Sequence, residues 1–125
     1  MHMGMANVHH QSGRKDLSAQ ALQSAAASDP QWWEPPLYLG HLLIEAGQLT
    51  AAIRAYATAV ALLPQRSIYA ARAYNNMGLA YKRTGDSAAS EESYLNSITY
   101  IYYIHISLYH ATVKHLRLRV YVFTV

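Results

Sequence analysis

The sequence predicts an all-α fold in which antiparallel helical hairpins stack side by side. The first observation is a glycine pair that occurs twice: Gly40 and Gly47 are seven residues apart, and so are Gly78 and Gly85. The second is composition, because residues 18–89 contain 18 alanines and alanine has the highest intrinsic helix propensity. Together they predict two copies of a helical hairpin within a single domain of 125 residues.

The two glycines of each copy have different predicted roles. Gly40 and Gly78 stand inside apolar helical patterns, where a glycine costs about 1 kcal/mol relative to alanine, so a second helix is expected to pack closely over the bare backbone. Gly47 and Gly85 each lie between two helical patterns, where a helix ends in the left-handed conformation that glycine adopts most readily. Each copy is therefore predicted to be two helices joined at its second glycine.

Aromatic residues recur at positions set by this pattern. Tyr56 and Tyr94 each follow the first glycine of their copy by sixteen residues. Because that spacing belongs to the fold, both are predicted to be packing residues rather than ligand contacts. Trp32 and Trp33 precede two prolines that suit the first turn of a helix. We expect the tryptophans to fill the seam between the first hairpin and the segment before it.

The chain before the first hairpin is predicted to contain one helix. Residues 1–12 show no apolar periodicity and are expected to be disordered. Residues 13–30 are bounded by a glycine and a proline at the spacing that bounds the second helix of the first hairpin. They are therefore predicted to be a half repeat consisting of that second helix only, with Asp16 as its N-cap.

The doubled pattern resembles the tetratricopeptide repeat, whose signature runs W-x2-L-G-x2-Y, then A-x3-F, then P. The residues that carry the resemblance are Leu39-Gly40, Ala52, Tyr56 and Pro64 in the first copy, and Tyr74, Met77-Gly78, Tyr81, Ser90 and Tyr94 in the second. The resemblance implies a short solenoid of two full repeats and a half repeat. It also implies a module that binds other proteins and has no catalytic activity of its own.

The repeat boundaries follow from this register. The first repeat is predicted over residues 33–66, and the second over residues 67–102. The paired glycines are 38 residues apart, whereas the repeat has about 34 residues, so roughly one extra helical turn separates the copies. We assign that turn to the first helix of the second repeat, which is then expected to start near Ser67.

The segment after the second repeat has a different composition. No acidic residue follows Glu92, and 11 of the 28 residues from Ile98 onward are β-branched, which favours strand over helix. Residues 103–125 therefore form an atypical hydrophobic and basic tail. Three interpretations stay open: a helix over Ile98–Tyr109 that covers the open end of the array, an irregular segment foreign to the repeat, or a membrane span over Ser93–Val113. Hydroxyl and imidazole groups within that last range disfavour the membrane.

Composition and motifs exclude several functional classes. No phosphate-binding glycine loop or nucleophile elbow occurs, and His105, His110 and His115 recur every five residues, a spacing that does not place them on one helix face. We therefore expect no catalytic residue, metal or cofactor. The net charge of +3 comes from scattered cations, so nucleic-acid binding is not expected either. Without cysteine or a signal sequence, a reducing cytoplasmic location is the default.

The resemblance also indicates where a partner would bind. In this family the first helix of each hairpin lines a concave face, and this places eight side chains there: Tyr38, His41, Arg72, Asn75, Asn76, Leu79, Lys82 and Arg83. The second hairpin contributes a basic, amide-rich group, which suits an acidic or extended peptide because amides both donate and accept hydrogen bonds. A protein or peptide partner is expected, and the exposed end of the array offers a surface for self-association.

An alternative function comes from one stretch of the second repeat. Residues 73–81 resemble repeats of O-linked N-acetylglucosamine transferases, in which a ladder of asparagines binds the substrate backbone, and Asn76 matches that ladder. This alternative makes the chain the truncated substrate-recognition arm of such a glycosyltransferase.

Overall fold

Five helical segments make up the part of the chain that this computed structural model describes, namely residues 14, 17–64 and 67–124, with backbone alone for 118 and 120–124. They are α1 (17–28), α2 (Glu34–Glu45), α3 (Leu49–Leu62), α4 (Ile68–Thr84) and α5 (Ser87–Thr124). No strand occurs among the described residues. The predicted disorder of residues 1–12 and the proposed cap Asp16 lie outside them.

The helix ends at the second glycine of each copy have the predicted geometry. Gly47 and Gly85 have φ angles of +78° and +88°, in the left-handed region. The backbone N–H after each glycine bonds back to a carbonyl in the last helical turn, with Gln48 donating to Leu43 at 2.9 Å and Asp86 to Tyr81 at 2.9 Å. The same helix-stop motif therefore ends α2 and α4, and the prediction for both glycines is confirmed.

The helix starts are set by local residues. Pro35 stands in the first turn of α2, where its missing N–H has no helical partner to lose. The Ser67 hydroxyl accepts a hydrogen bond from the backbone N–H of Tyr69 at 3.1 Å, which caps α4. An Asp86 carboxylate oxygen likewise accepts from the backbone N–H of Ala89 at 3.1 Å at the start of α5.

Consecutive helices pack in pairs, α2 on α3, α3 on α4 and α4 on α5. Short connections after α2 and α4 make each pair antiparallel, as in a helical hairpin. The core consists mostly of small or repeat-specific side chains, namely Leu37, Ala52, Tyr56, Ala59, Ala73 and Met77. The all-α fold of stacked hairpins is thus confirmed.

Each tyrosine lies directly on the first glycine of its copy. A Cβ atom added at Gly40 would lie 2.8 Å from the Tyr56 ring, and one added at Gly78 would lie 2.8 Å from the Tyr94 ring. Such a separation is shorter than any ordinary carbon contact, so an alanine at either position would require the tyrosine ring to move. Tyr56 is completely buried. Its predicted packing role is confirmed.

The tail agrees with the prediction in one respect and differs in others: Ile98–Tyr109 is helical, as the first interpretation predicts. The second helix of the second repeat was expected to end near Tyr102, but α5 continues to Thr124 as one helix of 38 residues. No glycine or proline follows Gly85 to interrupt it, and β-propensity is too context-dependent to break a helix by itself. The irregular interpretation is wrong. The expected cover over the array end is also not formed, because Tyr102, Leu108 and Tyr109 are exposed.

The tryptophans also depart from expectation. Trp32 is exposed rather than packed in a seam. Trp33 stacks on Tyr69 in the first turn of α4, with ring centroids 4.9 Å apart. The early start of α4 brings Tyr69 beside the start of α2. Trp33 thus packs toward the following hairpin.

Candidate functional site

A cavity of about 540 Å³ opens where α2, α4 and α5 approach one another. It is lined by His41, Ile68, Ala71, Arg72, Asn75, Asn76, Ser97 and Ile101. Four of the eight side chains predicted for the concave face are among them. The first helices α2 and α4 therefore share one pocket, to which α5 adds a wall.

A polar network lies at this pocket and joins three helices. The Tyr56 hydroxyl oxygen on α3 lies 2.6 Å from His41 Nδ1 on α2 and 3.3 Å from Asn76 Nδ2 on α4. The asparagine N–H donates to the hydroxyl oxygen. A neutral imidazole with its proton on Nε2 would accept the phenolic proton at Nδ1, whereas one with its proton on Nδ1 would donate to the hydroxyl oxygen.

The environment of the network keeps both groups neutral. Burial lowers the pKa of His41, and the nearby Glu45 carboxylate opposes this effect by favouring the imidazolium. Burial raises the pKa of Tyr56 to about 12, although the hydrogen bond from Asn76 acts in the opposite direction. At neutral pH the joint between α2, α3 and α4 therefore carries no charge of its own.

The outer part of the pocket remains accessible to a ligand. Arg72 and Asn75 are exposed, and among the described residues that line the pocket Arg72 alone carries a permanent charge. The Ser97 hydroxyl donates to the Ala71 carbonyl at 2.8 Å, which fixes α5 against α4 at the wall. Ile68 and Ile101 add exposed apolar surface. The pocket thus combines a cation, amide donors and acceptors, and an apolar patch.

The other four predicted side chains lie outside this pocket. Tyr38 is exposed and meets the His41 ring edge-on, with centroids 6.1 Å apart. Leu79 is half-buried, and Lys82 and Arg83 are exposed near the end of α4. Lys82 lines a second cavity of about 340 Å³ along α5, together with Glu91, Tyr94, Leu95 and Ile98. The eight side chains therefore do not converge on one site.

Sequence reasoning missed part of this pocket. Ser97 and Ile101 were not predicted to line it, because α5 was treated as the outer helix of its hairpin. The link between His41 and Tyr56 spans fifteen residues. The sequence did contain a signal for this hydrogen bond. His41 directly follows Gly40, and Tyr56 packs on Gly40, so the imidazole lies within reach of the tyrosine hydroxyl.

The described part of the chain offers neither a metal cluster nor a membrane span. No group of three or more histidine, aspartate or glutamate side chains that could hold a metal ion occurs among the described residues. Within the same part of the chain, no helix combines the length and hydropathy needed to cross a bilayer. The range proposed for a span, Ser93–Val113, is part of α5.

Comparison with known proteins is consistent with this architecture. The chain resembles the crystal structure of MamA with a TM-score of 0.64 and 24% identity, over 75% of this chain and 53% of that one. Two further MamA structures, designated MSR-1 and AMB-1, match at a TM-score of 0.62 and 19% identity, over 72% of this chain and 49% and 51% of theirs. The chain thus spans about half the length of these structures. No curated protein matches its sequence.

A family model covers the second hairpin. The model described as the tetratricopeptide repeat matches residues 71–101, which include most of α4 and the first part of α5. The matched range contains Gly78 and Tyr94, whose contact repeats that of Gly40 and Tyr56. The chain therefore contains a tetratricopeptide repeat at residues 71–101, within a fold of stacked helical hairpins.

Proposed function

We propose that this protein is a non-catalytic protein-interaction module that binds an extended peptide or a partner helix in the pocket between α2, α4 and α5. The observation that carries the proposal is the pocket itself, which joins Arg72, Asn75 and Asn76 to an apolar wall. The tetratricopeptide repeat and the MamA-like fold support a role in protein binding. A cytoplasmic location and the absence of nucleic-acid binding belong to the same proposal.

The chemistry of the pocket favours an extended segment with an acidic group. Arg72 offers a planar guanidinium that binds carboxylates through two parallel hydrogen bonds. Asn75 is exposed, so its amide can pair with a peptide backbone in both directions. Ile68 and Ile101 provide contact for one apolar side chain beside the acidic group.

The network behind the pocket supports a preorganised site. One N–H of the Asn76 side chain donates to the Tyr56 hydroxyl oxygen, which holds the amide in place. The second N–H and the carbonyl oxygen remain available to a ligand. A side chain held in place before binding loses less rotamer entropy on binding. Asn76 is thus proposed to orient the ligand, whereas Arg72 provides most of the electrostatic attraction.

The test starts by selecting ligands for the intact chain from a display library of short peptides. Binding of each selected peptide is then measured by fluorescence anisotropy to Arg72→Ala/Asn75→Ala, which changes only exposed side chains. We expect affinity to fall at least about tenfold, equivalent to ~1.4 kcal/mol. Arg54→Ala is the control, because it removes the same charge from an exposed side chain on α3 that does not line the pocket. This variant should bind normally. Equal affinity of the double variant and the control would refute the assignment of the pocket.

The alternative, a substrate-recognition arm of a glycosyltransferase, stays a prediction. It requires Asn76 to contact substrate backbone with the donor and acceptor that Tyr56 does not use. Two results would favour this alternative. The selected peptides would share no acidic residue, and their binding would be lost in Asn76→Asp but retained in Arg72→Ala.

A further inference from the structure

An uncovered apolar stripe runs along α5. We define the α5 stripe by residues that alternate in steps of three and four: Leu95, Ile98, Tyr102, His105, Tyr109, Thr112 and Leu116. At about 100° per residue these positions fall within an arc of roughly 100° on the helix surface. All seven are exposed, and the five large apolar members keep between 52% and 65% of their surface accessible.

The opposite face of α5 makes the contacts with the array. Ser90, Ser93 and Ser97 are buried there, and Tyr100 stacks on Tyr74 of α4 with centroids 5.4 Å apart. The stripe therefore lies outside the packed face of α5 and is exposed along its length. Leu95 and Ile98 also line the second cavity, together with Lys82 of α4.

The spacing of the stripe is that of a helix that pairs with another helix. Apolar positions alternating by three and four residues, sustained over at least three heptads, are typical of a coiled-coil seam. The stripe extends over 22 residues, from Leu95 to Leu116, or about three heptads, with large apolar side chains at five of its seven positions and the polar His105 and Thr112 at the other two. Such a pattern on a helix that is already packed on its other side indicates a second helical partner.

Charge along α5 indicates which helix that partner is. Glu91 and Glu92 lie at one end, Lys114, Arg117 and Arg119 lie at the other, and no acidic residue lies between or beyond. Two copies of α5 in parallel would place like charges side by side, which is destabilising. Two antiparallel copies place the acidic end of each beside the basic end of the other. The helix is therefore complementary in charge to a reversed copy of itself.

We propose that the protein forms a homodimer through antiparallel pairing of two α5 stripes. Centring the pair between residues 103 and 104 places Ile98 beside Tyr109 of the second copy, and Leu95 beside Thr112 of the second copy. The interface is isologous, because the same stripe serves both copies, and it closes as a two-fold dimer. None of the seven stripe residues lines the pocket at Arg72, so each copy of the dimer keeps its own proposed peptide-binding site.

The first experiment measures the mass of the intact chain by light scattering over a range of concentrations. We expect twice the chain mass of 14.0 kDa, and a return to a monomer for Ile98→Glu/Tyr109→Glu with an unchanged helical circular dichroism spectrum. His110→Glu/Ala111→Glu adds the same charge outside the stripe and should remain dimeric. A wild-type monomer at all concentrations would overturn the proposal, as would a dimer that survives the stripe variant.

A milder variant guards against misfolding of the glutamate variant. Ile98→Ala/Tyr109→Ala keeps the helix and should weaken dimerisation at least about tenfold. Unchanged dimerisation would exclude the stripe as the interface. A monomer that instead binds anionic lipid vesicles through the same residues would also refute pairing and assign the stripe to a membrane surface.

The orientation is tested with single cysteines, because the chain has none. Leu95→Cys and Thr112→Cys variants are mixed in equal amounts and treated with a short thiol cross-linker. Antiparallel pairing predicts cross-links mainly between the two different variants, since those positions face each other. Cross-links mainly between two copies of Leu95→Cys would show parallel pairing and overturn the proposed geometry.

Discussion

Replacement of Gly40 and of Gly78 by alanine should have unequal effects, although the two positions look alike. In each case the new Cβ atom would lie 2.8 Å from a tyrosine ring. The rings differ in freedom: Tyr56 is fully buried and its hydroxyl is hydrogen-bonded to His41, whereas Tyr94 is half-buried and lines an open cavity. Tyr94 can therefore turn toward solvent, and Tyr56 cannot.

The free energies of unfolding follow from these contacts. Overpacking a core costs about 1–3 kcal/mol, and the upper end applies to Gly40→Ala because Tyr56 has nowhere to move. Displacement of the hydrogen bond to His41 adds about 1 kcal/mol, and the higher helix propensity of alanine returns about 1 kcal/mol. We expect Gly40→Ala to destabilise by ~3 kcal/mol, and Gly78→Ala to stay within about 0.5 kcal/mol of the wild type.

Urea unfolding followed by far-ultraviolet circular dichroism measures both variants under one set of conditions. A third variant, Gly40→Ala/Tyr56→Leu, removes the ring that the new methyl group meets. Its destabilisation should be about 2 kcal/mol less than the sum of the two single changes. Equal losses for Gly40→Ala and Gly78→Ala, or strict additivity in the double variant, would refute the steric argument.

Three further predictions concern the helix end, the polar network and the tryptophan contact. Gly85→Ala should lower the free energy of unfolding by about 1 kcal/mol, because the φ angle of +88° strains any L-residue even though no atom crowds the site; urea unfolding should show the loss without a change in native helicity. The pKa of His41 lies below its unfolded value of 6.5, mainly through burial, so its stabilising effect is complete above pH 6.5 and declines as pH falls through the folded pKa. Unfolding free energies measured from pH 7.5 to 5.5 should therefore fall more steeply for the wild type than for His41→Gln, and parallel slopes would contradict the assignment. Tyr69→Ala should cost about 1 kcal/mol by removing the ring stacked on Trp33, and should shift the emission of Trp33 to longer wavelength in a Trp32→Phe background; an unshifted emission would count against the contact.

Local sequence rules predict the parts of this fold that depend on backbone geometry. Gly47 and Gly85 end their helices as expected because few other residues adopt a positive φ at low cost. The contact between Gly40 and Tyr56 is also predictable from their spacing in the sequence. A glycine inside a helix lets a side chain of a neighbouring helix pack directly on its backbone, and Tyr56 is that side chain. These features depend on one residue type at one position, which a single sequence displays directly.

The parts that depend on distant partners are less predictable. The end of α5 could not be placed, because β-branched residues lower helix propensity only slightly and no breaker residue marks a boundary. Asn76 was assigned to a ligand, yet its amide first pairs with a hydroxyl twenty residues earlier in the chain. The choice of Tyr69 as the partner of Trp33 likewise depends on how two helices approach each other.

The Tyr56 hydroxyl links the packing of the helices to the polar floor of the pocket. It bonds to His41 within the first hairpin and accepts from Asn76 of the second, so the bond to Asn76 contributes both to the packing of the hairpins and to the polarity of the pocket floor. A ligand that draws Asn76 toward itself would remove the hydrogen bond between the second hairpin and Tyr56 of the first. Linkage then requires the converse, that loss of this bond changes ligand affinity by the same factor. If a peptide binds at Asn76 as proposed, its affinity and the packing of the two hairpins are therefore coupled.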